Sequence, residues 1–138
     1  YNKQLLNKEN INSMKTKMHN KVLYDLHKLY PTTPIYIDEF VNEKKYYSYL
    51  DSSKPIVKNI TFKTKGESSF PCVALASVIA RYSFLLEKDK LETQYQMAFP
   101  CGAGVQVDKF VKTFIKKYSK EELSKIVKAN FANVKDIL

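Results

Sequence analysis

The sequence predicts an α/β fold with two parallel strands, flanking helices and a helix-rich C-terminal half. Two short segments rich in β-branched and aromatic residues alternate with longer segments whose apolar residues recur at helical spacing. This strand–helix–strand–helix order is typical of a parallel strand pair. Only 3 glycines and 5 prolines occur among the 138 residues, so turn-forming residues are few and long helices are favoured over many short strands.

The first half of the chain predicts two helices and two strands in alternation. Apolar residues recur every three or four positions over about Asn12–Tyr30, and two prolines end that helix. Ile35–Asp38 has the composition of a strand, and Glu43–Leu50 is expected to be helical. Alternation of side-chain character over Ile56–Thr64 predicts the second strand.

The centre of the chain predicts a long core helix. Ser68 and Ser69 are candidate caps, Pro71 is tolerated in a first helical turn, and the helix is expected to run to about Lys88. The segment Phe70–Leu86 is the longest weakly charged run in the sequence. Because polar side chains interrupt it, a helix buried in the protein core explains this run better than a membrane span does.

Two further helices are predicted after a glycine-containing loop that follows Pro100. The first presents one apolar face, formed by Val107, Phe110, Val111, Phe114, Ile115 and Tyr118. The second begins after Ser119, because Ser119-Lys120-Glu121-Glu122 has the spacing of a capping box.

The composition and charge of the chain narrow the classes of protein to which it can belong. A hydrophobic content of 44% and a charged content of 27% are ordinary for a globular protein and exclude a disordered tail or a collagen. The net charge is +9, with the basic excess on both sides of a nearly neutral segment at 66–107. This excess indicates a polyanionic partner, although most of the lysines need do no more than keep the protein soluble.

The N-terminus and the cysteines bear on cellular location. The first residues lack the apolar stretch of a secretory signal, so we expect a cytoplasmic protein with no membrane partner. Cys72 and Cys101 are too few for a metal-ligand set and are expected to be reduced thiols.

Two acidic residues lie where the predicted strands end. Asp38 ends the first strand, and Glu67 follows the second. Because parallel strands bring their C-terminal ends to the same edge of a sheet, these carboxylates converge if the strands are neighbours. Oxygen ligands of this kind suit hard divalent cations such as Mg²⁺. A structural explanation is also open, and on these two residues alone it is the better one: Asp38 caps the next helix, and Glu67 favours a helix N-terminus.

The three glycines fall in two loops that are candidate contact points. Gly66 lies between the second strand and the core helix, and Gly102 and Gly104 precede the next helix. Glycine permits unusual backbone angles and the close approach of another backbone. Ordinary turn formation explains these glycines equally well.

Taken together, these residues resemble type 2 ribonuclease H, and most closely ribonuclease HIII. The similar segments follow one another in the family's order over nearly the whole chain. They are Met14–Asn20, with its Lys-x-x-x-His-Asn pattern, the Asp-bearing strand Ile35–Phe40, Thr61-Phe62-Lys63-Thr64-Lys65-Gly66-Glu67-Ser68, the helix Val73–Leu85, and the Pro-x-Gly-Ala-Gly loop with Val107-Asp108.

The resemblance implies a ribonuclease H-like fold and metal-dependent endonucleolytic hydrolysis of the RNA strand of RNA–DNA hybrids. The family holds Mg²⁺ or Mn²⁺ with four carboxylates, of which Asp38 corresponds to the third and Glu67 to the fourth. Glutamate at the fourth position favours ribonuclease HIII over ribonuclease HII. Contacts with the nucleic acid are expected from Lys15, His19, Asn20, Lys63, Lys65, Gly102 and Gly104, with a structural role left open for His19 and Asn20.

The sequence also departs from the family's pattern. The first two carboxylates of the family form an Asp-Glu pair in a Gly-rich first strand, and no such segment precedes Asp38 here. The resemblance therefore implies that residues 1–138 are the C-terminal part of a catalytic domain and do not cleave RNA alone. The expected partner is the missing N-terminal portion of the same protein, or a chain that associates through the exposed sheet edge at Ile35–Asp38. The alternative is a non-catalytic nucleic-acid-binding module of the same fold.

Overall fold

A computed structural model of the chain describes residues 2–3, 9–135 and 137. Helices and short strands alternate in the first half of the chain, and only helices follow in the second half. In chain order, the elements are α1 (Ile11–Leu29), β1 (Ile35–Asp38), α2 (Glu43–Ser48), β2 (Ile60–Lys63), α3 (Gly66–Ser69), α4 (Pro71–Tyr95), α5 (Val105–Lys117), α6 (Lys120–Ile126) and α7 (Ala132–Lys135).

The two strands form a parallel pair, which confirms the predicted α/β class. Their register runs from Ile35 opposite Ile60 to Asp38 opposite Lys63. The pairing ends just beyond β1, where the Glu39 N–H donates to the Lys63 carbonyl over 3.0 Å. The prediction of a strand over Ile56–Thr64 was too long, because pairing begins only after Asn59, whose φ of 59° interrupts the extended backbone.

Three of the helices begin at side chains that cap them. Asn10 precedes α1 and accepts a hydrogen bond from the Ser13 N–H over 2.9 Å, and Asn42 precedes α2 in the same way. Ser119 precedes α6, and its hydroxyl accepts from the Glu122 N–H over 3.0 Å. Each cap satisfies one of the backbone donors that a helix start leaves without a partner. The start of the helix predicted after Ser119 is therefore confirmed.

The chain divides into two compact units. One comprises Lys8–Ser83, and the other comprises Tyr1–Asn7 with Phe84–Leu138, so that the division falls within α4. The core of the first unit consists of Ile37, Tyr46, Val57 and Ile60, and that of the second consists of Tyr95, Val111, Phe114, Leu123 and Val134. Val111 and Phe114 belong to the predicted apolar face of α5, and both are fully buried.

The central helix departs from its prediction in extent and in burial. A four-residue helix, α3, contains Ser68 and Ser69, and α4 begins separately at Pro71 and continues to Tyr95 rather than to Lys88. The prediction that this helix is buried was wrong for the described residues: its large apolar side chains from Leu75 to Leu86 are exposed. The described elements leave this part of α4 uncovered, whereas Tyr95 at its end is buried in the core of the second unit. No helix among the described residues is long and apolar enough to span a membrane.

Candidate metal and nucleic-acid site

The end of β1 is in direct contact with the turn that follows β2. The backbone N–H of Gly66 donates a hydrogen bond to Oδ1 of Asp38 over 3.0 Å. A Cβ atom added to Gly66 would lie 3.2 Å from the Asp38 Cα and 3.4 Å from the Asp38 backbone nitrogen. Backbone atoms yield less readily than a flexible side chain does, so this tight contact favours glycine at this position.

The same turn carries Glu67. Lys65 adopts the left-handed conformation, with φ 53° and ψ 45°, and this reverses the chain after β2 so that α3 can begin at Gly66. Glu67 lies in the first turn of α3, and its side chain is exposed, as is that of Asp38. The structure thus brings Asp38 against the residue adjacent to Glu67, at the edge where both parallel strands end.

Two lysines lie at this edge of the strand pair. Lys63 is the register partner of Asp38, and Lys65 follows it by two residues. Both side chains are exposed to solvent. Cationic groups beside a carboxylate pair can neutralise the phosphates of a nucleic-acid backbone that approaches the acids.

Residues of α1 reach the end of β1 through Phe40. The Lys15 Nζ lies 4.5 Å from the centre of the Phe40 ring, and the His19 ring packs edge-on against Phe40 with centroids 5.1 Å apart. Burial, and secondarily the charge of Lys15, lower the pKa of His19 below its ordinary value of 6.5. Lys15 and His19 therefore lie near the site, and His19 is held in its neutral form at pH 7.

Asn20 has a different position from its helical neighbours. Its side chain is buried, its amide donates to the Pro55 carbonyl over 2.8 Å, and its Oδ1 accepts from the Val57 N–H over 3.0 Å. These bonds fix the loop that leads into β2. The amide is thus engaged within the protein, which favours the structural role that the sequence left open for this residue.

Gly102 and Gly104 belong to the second compact unit, in the loop before α5. Both are exposed, and no atom lies within 4 Å of a Cβ added at either position. Gly102 has a φ of 102°, which side-chain-bearing residues rarely adopt. The start of this loop is fixed by Glu92, whose Oε1 accepts from the Phe99 N–H over 2.6 Å and from the Lys88 ammonium.

The acids supply donors of the right chemical kind for a hard divalent cation, but too few of them. Asp38 and Glu67 offer carboxylate oxygens, whereas the thiols of Cys72 and Cys101 are exposed and unpaired. Among the described residues, no group of three or more histidine, cysteine, aspartate or glutamate side chains could hold a metal ion. Within the described residues, these two acids thus offer oxygen donors but not a full ligand set.

Sequence reasoning did not anticipate two side chains that position these residues, one within each compact unit. Phe40 connects α1 to the end of β1, and Glu92 anchors the loop that bears the glycines. An aromatic residue two positions after a strand carboxylate gave no distinctive signal. Glu92 lies on a helical surface rich in charges, so its bond to a loop backbone depends on how the chain turns back after Tyr95.

A parallel strand pair that ends in an aspartate, followed by a Gly-Glu turn and a long helix, is the arrangement that the resemblance to type 2 ribonuclease H predicts. The model of the family described as Ribonuclease HII matches residues 1–134, and the chain belongs to this family. Within the family, it is similar to ribonuclease HIII. The resemblance identified from the sequence motifs is thereby confirmed.

Named relatives and a solved structure agree with this placement. Ribonuclease HIII of Bacillus cereus is 40% identical over 142 residues, which cover 100% of this chain and 46% of the relative. Ribonuclease HIII of Bacillus mycoides is 42% identical over 137 residues, covering 96% of this chain and 44% of the relative. The crystal structure of Bst-RNase HIII in complex with Mn²⁺ matches with a TM-score of 0.92 at 33% identity, covering 98% of this chain and 45% of the other. The chain thus spans less than half the length of these relatives.

Proposed function

We propose that this chain supplies part of the carboxylate site of an endonuclease that hydrolyses the RNA strand of RNA–DNA hybrids. The observation that carries the proposal is the hydrogen bond from Gly66 to Asp38, which joins the strand carboxylate to the turn bearing Glu67. Membership of the ribonuclease HII family and similarity to ribonuclease HIII support the choice of substrate.

Asp38 and Glu67 are the residues that would hold a divalent cation. Carboxylate oxygens suit both Mg²⁺ and Mn²⁺, and the similar Bst-RNase HIII was crystallised with Mn²⁺. Divalent cations bound by clustered carboxylates supply an activated water and stabilise the leaving oxygen of a phosphodiester. The contribution of Gly66 is to fix the orientation of the Asp38 carboxylate through its N–H group.

The basic residues around these acids would hold the nucleic acid. Lys63 and Lys65 extend from the same edge as Asp38, and Lys15 lies over Phe40 just beyond it. Their charges would neutralise backbone phosphates, which makes binding dependent on salt concentration and independent of base sequence. His19, neutral at pH 7, would approach the hybrid as a hydrogen-bonding group without a charge.

We further propose that the chain alone does not cleave. Two carboxylates leave most of the coordination sphere of a divalent cation unfilled, and a second ion would have no protein ligand of its own. The remaining acids would come from a polypeptide equivalent to the part of ribonuclease HIII outside the matched region. We call that part of the Bacillus cereus enzyme the complementary segment.

The experiment measures cleavage of an RNA–DNA hybrid with Mg²⁺ or Mn²⁺ by the chain alone, and by the chain mixed with the complementary segment. We expect no cleavage above background from either polypeptide alone and cleavage from the mixture. Asp38→Asn should abolish this cleavage. Asp25→Asn, a matched change of an exposed aspartate on α1, should leave it intact. Robust cleavage by the chain alone that Asp38→Asn abolishes would show that two acids suffice.

A non-catalytic nucleic-acid-binding module is the second candidate function. The net charge of +9 and the exposed Lys63 and Lys65 favour binding whether or not chemistry follows. This candidate predicts that the chain binds the hybrid but that the mixture does not cleave it with either metal. The unaltered pair Asp38 and Glu67 favours the enzyme, because binding a polyanion gives no use for two exposed carboxylates beside the lysines.

A further inference from the structure

Helix α5 carries a row of lysines on the face opposite its buried side. Lys109, Lys112 and Lys116 are spaced by three and four residues, so they share one face of the helix. All three side chains are exposed to solvent. From the rise of an α-helix, the row is about 10 Å long. We call these three residues the basic row.

The core of the second compact unit fixes the direction in which the basic row points. Val111 and Phe114 are fully buried on the opposite face of α5. The centre of the Phe114 ring lies 5.1 Å from that of Tyr95. The centre of the Phe110 ring lies 4.8 Å from that of Phe99. Because these contacts prevent α5 from rotating about its axis, the lysines stay on the solvent side.

Among the described residues, no acid pairs with the basic row. Five other helical lysines of the described chain each form an ion pair with an acid. The acid of α5, Asp108, lies one turn before Lys112, but its carboxylate accepts a hydrogen bond from the side-chain amide of Asn133. A row of one charge sign that no acid balances indicates an anionic partner.

We propose that the basic row binds the sugar–phosphate backbone of double-stranded nucleic acid, with no preference for an RNA–DNA hybrid over DNA. A DNA duplex carries about one phosphate charge per 1.7 Å of its axis, so a phosphate lies within reach of every lysine of the row. Contacts of this kind carry no information on base sequence. The inference goes beyond the proposed function, because the row belongs to the second compact unit, whereas Asp38 and Glu67 belong to the first.

An anionic membrane is a less suitable partner. A helix that lies on a membrane inserts an apolar face beside its basic face. The apolar face of α5 packs in the core instead, and Val105 is the one large apolar residue of this fully described helix that is exposed. A single nucleic-acid strand is also less suitable, since it has a lower charge density than a duplex and releases fewer counterions per contact.

The test measures binding of the full chain to a short fluorescent DNA duplex by anisotropy, without divalent metal and at several salt concentrations. Combined Lys109→Ala, Lys112→Ala and Lys116→Ala replacement should weaken binding about tenfold or more at low salt. The slope of log affinity against log salt should fall by about 2.7, because each lysine that contacts a phosphate accounts for about 0.9. Arginine at all three positions should retain the affinity and the slope, because arginine also binds phosphate.

The control is a variant with the same change in net charge, made by combined Lys21→Ala, Lys90→Ala and Lys125→Ala replacement. These three lysines are also exposed and helical, but each pairs with an acid. This variant should bind the duplex within about twofold of the unaltered chain. Circular dichroism of both alanine variants should match that of the unaltered chain, so that a loss of binding is not a loss of folding.

Several results would overturn the proposal. Equal weakening by both alanine variants would mean that net charge alone explains the binding. Failure of the unaltered chain to bind duplex DNA would exclude the proposed partner, as would tighter binding to a single strand or to phosphatidylserine vesicles. A loss of affinity seen with an RNA–DNA hybrid of the same length, but not with the DNA duplex, would assign the basic row to substrate recognition instead.

These results are separable from those of the cleavage experiment. If the chain mixed with the complementary segment cleaves the hybrid, alanine replacement of the basic row should raise KM and leave kcat unchanged. If the mixture does not cleave, the proposed catalysis fails, and DNA binding that depends on the basic row still stands. If the mixture cleaves but the chain does not bind duplex DNA, the catalysis stands and the basic row is not a binding surface.

Discussion

Gly66 donates its backbone N–H to Oδ1 of Asp38 over 3.0 Å, and a Cβ atom at Gly66 would lie only 3.2 Å from the Asp38 Cα. This contact joins the end of one parallel strand to the turn that follows the other. It therefore fixes the relation between the strand aspartate and Glu67, which is the relation that the proposed carboxylate site depends on. Gly66 thus holds the turn that bears Glu67 against the end of β1.

Replacing Gly66 with alanine should destabilise the first compact unit and displace the turn. The new Cβ would lie 3.2 Å from the Asp38 Cα, which is backbone and cannot rotate away. We expect the free energy of unfolding in urea to fall by about 1 to 2 kcal/mol. In the presence of the complementary segment, Gly66→Ala should also lower hybrid cleavage.

Gly104→Ala is the matched control for this prediction. No atom lies within 4 Å of a Cβ at position 104, and its φ of −91° suits any residue. The free energy of unfolding should change by less than about 0.5 kcal/mol. An equal loss of unfolding free energy in both variants would mean that the contact between position 66 and Asp38 does not disfavour a side chain.

Replacing Asn20 with alanine should reduce stability rather than the affinity for the hybrid. The buried side-chain amide bonds both the Pro55 carbonyl and the Val57 N–H, so its removal takes the partner from the buried Val57 N–H and from the half-buried Pro55 carbonyl. The free energy of unfolding should fall by about 2 kcal/mol. Asn12→Ala on the same helix should cost much less, and hybrid affinity measured on folded Asn20→Ala should be unchanged. Loss of affinity without loss of stability would instead assign Asn20 to nucleic-acid contact.

Replacing Tyr46 with phenylalanine should stabilise the protein. Tyr46 is fully buried, and its hydroxyl has no hydrogen-bond partner among the described residues. Burial, assisted by Tyr47, raises its pKa to about 12. Removing the hydroxyl keeps the ring contacts with Phe40 and Phe62 and should raise the free energy of unfolding by about 1 kcal/mol.

Replacing the neighbouring Tyr47 with phenylalanine should destabilise the protein. Tyr47 has a hydrogen bond with the backbone of Ile60, which opposes the upward shift of its pKa by burial and by the charge of Glu43. Tyr47→Phe loses this bond and should lower the free energy of unfolding by about 1 kcal/mol. If urea unfolding shows that the free energy of unfolding changes in the same direction in both variants, the explanation given for Tyr46 is wrong.

The half-buried His19 should make stability depend on pH below neutrality. Burial and Lys15 lower its pKa in the folded state, so below about pH 6.5 the unfolded chain binds the proton more readily. The contribution of His19 to the free energy of unfolding should therefore be fully present above about pH 6.5. It should decline as the pH falls from there through the lowered pKa. Urea unfolding between pH 7 and pH 5 should show a shallower decline for His19→Gln than for the unaltered chain. His27→Gln, on the exposed side of the same helix, should retain the original decline.

Replacing Lys63 and Lys65 with alanine should weaken hybrid binding and reduce its dependence on salt. If each lysine neutralises one phosphate, each replacement should lower the slope of log affinity against log salt by about 0.9. The control is Lys90→Ala, which removes an exposed lysine from α4 in the second unit. A salt slope unaffected by the double replacement would place the nucleic acid elsewhere on the surface.

Much of the local structure followed from the sequence because it depends on nearby residues. The caps at Ser119 and the strand composition of Ile35–Asp38 predicted their elements, and the spacing on α5 predicted its buried face. The burial of α4 was predicted wrongly from the same kind of evidence. A run of apolar residues shows that a helix can be buried, whereas burial itself requires another element to pack on it.

The candidate site could likewise be predicted from the sequence only in part. By itself, the sequence predicted the family and the parallel strand pair and supplied the two candidate acids, because these depend on residue types and their spacing. Only the tertiary structure decided that Gly66 lies against Asp38, that Asn20 is used inside the protein, and that α4 is exposed. Those three facts depend on whether residues distant in the chain come into contact. Such contacts are decided by how the helices and strands pack, which the order of residue types does not specify.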